Sequence, residues 1–70
     1  MKDKELMYEL TYTDFLGRRQ TQNFIKTKDE AFKRKTRYFN SKECNAIIKE
    51  VVKTYENGDC ISIEKKQLNN

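Results

Sequence analysis

Seventy residues with a net charge of +4 make one small domain, 1–70, which buries only about 60% of the surface its unfolded chain exposes and leaves no room for a deep catalytic cleft. The chain has no His, two Gly and two Cys. That inventory excludes imidazole acid–base chemistry, a glycine-rich phosphate loop and the usual zinc ligand set, so neither an enzyme nor a cofactor is expected. The longest apolar runs are pairs such as Ile47-Ile48 and Val51-Val52, far short of the roughly 20 residues of a membrane span. A cytoplasmic protein without membrane contact is expected, with Cys44 and Cys60 as reduced, buried thiols.

Polar stretches at 1–4 and 67–70 are expected to fray. Met7 to Thr13 alternates, with Tyr8, Leu10 and Tyr12 on one side and Met7, Glu9, Thr11 and Thr13 on the other, the period of a half-buried strand. Asp14-Phe15-Leu16-Gly17 follows as a type I turn, in which the carboxylate accepts a backbone N–H and Gly takes positive φ. The returning strand, Arg18 to Ile25, is polar on both faces until Phe24 and Ile25. Thr27-Lys28-Asp29-Glu30 is a capping box that opens a helix. On that helix Phe32 and Phe39, with Ala31 and Tyr38 alongside, form the inward stripe; Lys33, Arg34 and Arg37 lie opposite, and Lys35 falls within the apolar arc and must snorkel.

Residues 44 to 55 fit two patterns. Cys44, Ile47, Ile48, Val51, Val52 and Tyr55 have helical spacing, which with Ser41 as cap gives a second helix over 41–56. Four β-branched residues and Asn57-Gly58, the favoured pair of a type I′ turn, support a hairpin instead. In that register Glu56 opposes Asp59, Tyr55 opposes Cys60, Thr54 opposes Ile61, Val52 opposes Ile63, and Glu50 meets Lys65. The hairpin is preferred. The expected fold is therefore α+β, ββαββ, a four-stranded antiparallel sheet with one helix on one face; ββααβ is the alternative.

Charge is placed unevenly. Residues 18 to 42 hold nine Lys or Arg against Asp29 and Glu30 alone, a local +7, while both flanks are mildly acidic. Such a block marks an anionic partner. Its candidate contacts are Arg18, Arg19, Gln20 and Gln22 on the returning strand, Lys26 and Lys28 at the helix start, and Lys33, Arg34 and Arg37 on the outer helix face. These side-chain types contact phosphates and base edges. Tyr8, Tyr12, Tyr38 and Tyr55 offer rings for unpaired bases. The plain alternatives are an edge strand blunted by polar residues, a solvated helix face and aromatic core residues.

Tyr12-Thr13-Asp14, Gly17-Arg18-Arg19, Phe24, Thr27-Lys28 and Glu30-Ala31 together resemble the strand, turn, basic strand and helix start of the arm-type DNA-binding module of phage and transposon integrases. The resemblance spans residues 12 to 31 and leaves 45 to 66 without a counterpart; it implies a sheet laid against a DNA major groove. Lys, Asn, Ile, Tyr and Phe supply 30 of the 70 residues, a composition that resembles the product of an AT-rich genome such as a low-GC bacterium or its phages. Three functions are consistent with these features. The first is a non-enzymatic phage or mobile-element accessory protein binding nucleic acid. The second is a stoichiometric inhibitor or adaptor binding an acidic protein surface, as an anti-defence or host-takeover protein would. The third is a homo-oligomeric module, such as a homodimer through the open sheet face.

Overall fold

The computed structural model describes residues 2–68. The elements are β1 (Lys2–Thr13), β2 (Arg19–Ile25), α1 (Lys28–Tyr38), a single 3-10 turn (Lys42–Cys44), β3 (Ile47–Glu56) and β4 (Asp59–Leu68). The strands form one antiparallel sheet in the order β2-β1-β3-β4, so the fold is α+β ββαββ as expected. The second helix does not form. Both Ile48 and Val51 are buried, yet they lie on opposite faces of β3, each facing its own apolar cluster. A strand buried on both sides does not alternate, which is why the segment imitates helical spacing.

Strand β1 starts at Lys2, five residues before the predicted onset, because β3 supplies a ladder for it. Lys2 pairs with Glu56, Glu5 with Lys53 and Glu9 with Lys49, while Glu50 of β3 faces Lys66 of β4. Opposite charges across a ladder favour this register. Residues 2–4 and 67–68, within the stretches expected to fray, belong to β1 and β4. Met1, Asn69 and Asn70 lie outside the described residues.

Both turns have their expected chemistry. The Gly17 N–H donates to the Asp14 carbonyl at 3.0 Å with Gly17 at φ +82°, and Asn57 and Gly58 both take positive φ, as a type I′ turn requires. Two bulges interrupt the ladders. Asn23 and Phe24 together oppose Glu9, with Phe24 at φ +63°, a conformation that bulky L residues rarely adopt. The extra residue sends Ile25 beneath the helix, 2% exposed, and Phe24 to the opposite face, 68% exposed. In β4, Ile61 is extra: Tyr55 still pairs with Cys60, but Thr54 pairs with Ser62, Lys53 with Ile63, Val52 with Glu64 and Glu50 with Lys66. A shift of one residue turns every side chain to the other face, so Ile63 joins Met7, Val51 and Phe24 on the side away from the helix.

The Thr27 Oγ1 accepts the Glu30 N–H at 3.2 Å, the first half of the capping box. The Glu30 carboxylate does not complete the box, because it accepts from Arg34 at 2.7 Å instead. Ala31 is fully buried and packs with Tyr8, Leu10, Ile25 and Ile48, flanked by Phe32 and Phe39. Tyr38 is corrected from inward to outward, 65% exposed. It is the last helical residue, and Phe39 already leaves the helix at φ −129°, ψ 36°, so the helical wheel no longer relates the two. Phe39 stacks on Tyr12 with ring centroids 3.9 Å apart. The helix, 11 residues or about 16 Å, is much shorter than the 12-residue β1 at about 40 Å. It covers the Tyr8–Tyr12 end and leaves the Lys2–Leu6 end bare in a molecule of 43 × 23 × 15 Å.

Candidate functional site

Asp14 organises the first hairpin. Its Oδ1 accepts the backbone N–H groups of Leu16 at 3.0 Å and Arg18 at 2.9 Å, and its Oδ2 accepts Arg18 Nε at 3.3 Å and Gln20 Nε2 at 3.1 Å. Two of the predicted contact residues are thus held by one carboxylate. Chiefly the Arg18 N–H, partly opposed by desolvation, holds the Asp14 carboxyl below the usual carboxylate range. A lowered folded value means that the stabilisation is complete above the ordinary value and is lost as pH falls through the folded one. Asp14→Asn is therefore expected to flatten the fall of Tm with acidification below about pH 4. Thermal melts of both proteins from neutral pH down to strong acid check this; parallel curves would contradict it.

Arg19 lies on the other face from the helix, opposite Thr13. Its Nη1 donates to Thr13 Oγ1 at 2.9 Å and to the carbonyls of Asn45 at 3.0 Å and Cys44 at 3.3 Å. It straps β2 across the end of β1 to the segment that leads into β3. Gln22 faces the helix, where its Oε1 accepts Arg34 Nη1 at 3.2 Å. Lys26 borders the bare end of the sheet beside Leu6 and Phe24, and Lys28 Nζ lies 5.9 Å from the Phe32 ring centre.

Lys33, Arg34 and Arg37 come together. With Glu30 and Tyr38 they line one shallow depression on the outer side of α1. The spacing i, i+1, i+4 puts them on adjacent turns, and Gln22 of β2 adjoins through Arg34. Glu30 is the one acid of the depression and is taken by Arg34; Lys33 and Arg37 have no acidic partner within 4 Å among the described residues. The Arg37 guanidinium sits 5.6 Å from the Tyr38 ring centre.

Thus the basic block divides into three places. Arg18 and Gln20 are bound to Asp14, Arg19 is on the opposite face, and Gln22, Lys33, Arg34 and Arg37 share the helix side. The sheet balances its own charges, as in the Lys65–Glu9 pair at 3.1 Å and the cross-strand pairs described above. The surplus positive charge therefore remains on α1 and the β2 edge.

Of the four tyrosines, Tyr8 is buried, Tyr12 and Tyr55 are half-buried and Tyr38 is exposed. Desolvation, with Glu5 beside it, pushes the Tyr55 hydroxyl up. Sequence reasoning missed Phe15, 95% exposed at the tip of the first turn; its place inside a four-residue turn was the available signal, since such a position has no partner strand to cover it. Cys44 is half-buried and Cys60 exposed, both free, which corrects the expectation of two buried thiols. Among the described residues no three Cys, Asp or Glu side chains converge as metal ligands, and no helix is long and apolar enough to cross a membrane. Against known protein families, curated proteins and solved structures, the chain matches none.

Proposed function

We propose that the chain is a small non-enzymatic accessory protein that binds nucleic acid by its phosphate backbone, through Lys33, Arg34 and Arg37 with Gln22 beside them. The observation that carries this reading is the depression on α1, where three cations meet a single acid and two of the cations have no acidic partner among the described residues. Phosphate contacts of this kind release counterions, and each adds roughly −0.9 to the slope of log K on log salt for a duplex, or −0.7 for a single strand. Titration of labelled strand and duplex at two salt concentrations tests it. Affinity is expected to drop steeply with salt, and no binding at about 50 mM salt would end the proposal.

A second reading, a homodimer through the open sheet face, is favoured by the displacement of two apolar side chains. The bulges bring Phe24 and Ile63, 68% and 56% exposed, over Met7 and Val51. Such a patch suits a protein interface. Light scattering at high micromolar concentration is expected, on this reading, to give twice the monomer mass, and Ile63→Glu to restore the monomer. A monomeric wild-type protein removes it.

A further inference from the structure

At the end of α1 the basic depression adjoins an aromatic groove, and Tyr38 is a wall of both. Phe39, stacked on Tyr12, lines the groove, which measures about 410 Å³, and Phe15 from the turn tip closes its far side. Tyr38 and Phe15 bury little of their rings. Asp14 also lines the groove, and its carboxylate is committed to the turn. An anion beside the groove repels phosphate, whereas the depression attracts it. The groove thus suits a flat neutral group and the depression an anionic one, with Tyr38 between them.

We propose that this junction holds single-stranded nucleic acid, with phosphates on Lys33 and Arg37 and an unpaired base against Tyr38 and Phe15. The inference rests on the nucleic-acid reading above and narrows it. A duplex presents phosphates to the depression but keeps its base faces inside the stack, so it gains nothing from the groove. A single strand gains both, and stacking on an aromatic ring is tolerant of sequence because every base has a π-face.

The experiment is fluorescence anisotropy with a labelled single strand of about 12 nucleotides and with the same sequence as a duplex. The single strand is expected to bind about tenfold more tightly, and Tyr38→Ala and Phe15→Ala each to remove about tenfold of that affinity, with Phe15→Ala, outside the depression, leaving duplex binding unchanged. Tyr38→Phe, which keeps the ring, retains it. Both positions are exposed, and circular dichroism confirms that the variants fold. If the duplex binds as well as the strand, or if both alanine variants bind the strand like wild type, the junction is not a base site, although the phosphate surface stands. If neither probe binds, the nucleic-acid reading fails, and this one with it.

Discussion

Leu10→Ala is expected to cost about 3 kcal/mol of folding stability, within the usual range of about 2–5 kcal/mol for a buried leucine truncated to alanine. Leu10 is 0% exposed, directly opposes Ile48 of β3, and belongs to the one cluster shared by helix and sheet. Four large side chains, Leu10, Ile25, Ile48 and Val51, are almost completely buried, so little apolar volume is available to collapse into the space left. A chain of 70 residues has roughly 3.5–10 kcal/mol in total, and the variant loses a large fraction of it. Urea titration reads this as a lower midpoint at unchanged slope. Leu16→Ala, at an exposed turn position, serves as control and is expected to shift stability by less than about 0.5 kcal/mol. Equal midpoints for Leu10→Ala and wild type would mean that the core has been placed wrongly.

The double reversal Lys33→Glu with Arg37→Glu has the largest expected effect on binding. It turns the two cations that lack an acidic partner among the described residues into repelling charges while leaving Arg34 on Gln22 and Glu30. Affinity for nucleic acid is expected to fall by at least about a hundredfold at low salt, and the salt slope to shrink by nearly two for a duplex, since two phosphate contacts are lost. Both side chains are exposed, so the fold survives. Arg19→Ala supplies the contrast. Arg19 spends its hydrogen bonds on Thr13 and on the Cys44 and Asn45 carbonyls, so its loss is expected to lower stability by about 1 kcal/mol and leave the salt slope alone. If Arg19→Ala flattens the slope as much as the double reversal does, the binding surface lies on the other face of the sheet.

Which features were legible in the sequence follows from how locally they are encoded. The β1 alternation, Asp14 and Gly17 in the first turn, the Thr27 cap and Asn57-Gly58 each act over a few residues, and each has its predicted role. The bulges at Phe24 and Ile61 carry no comparable local signature. Phe24 is driven into positive φ by the gain of seating Ile25 under the helix, and that gain exists only once α1 has docked. Likewise, Arg18 looks free in the sequence because its partner Asp14 stands outside the basic block, across the turn. Charge and its place on the polar strand group Arg19 with the contact surface, yet strand parity sends it to the face away from the helix. The wheel places Tyr38 inward with Phe39, but the chain leaves helical geometry at Phe39, whose ring takes the inward place on Tyr12.

The strand order has a topological consequence. Two of the three pairings, β1 with β2 and β3 with β4, are hairpins closed by short turns; β1 with β3 alone joins distant parts of the chain, pairing Lys2 with Glu56. The protein is thus two hairpin halves meeting along one seam, with the basic surface of α1 beside β2 of the first half and its buried Ala31 packed on residues of both. The seam carries Leu10 against Ile48 on one face and Met7 against Val51 on the other, all four of them buried. Association of the halves and burial of both apolar clusters are consequently the same event, and the segment between Phe39 and Ala46 serves as their tether.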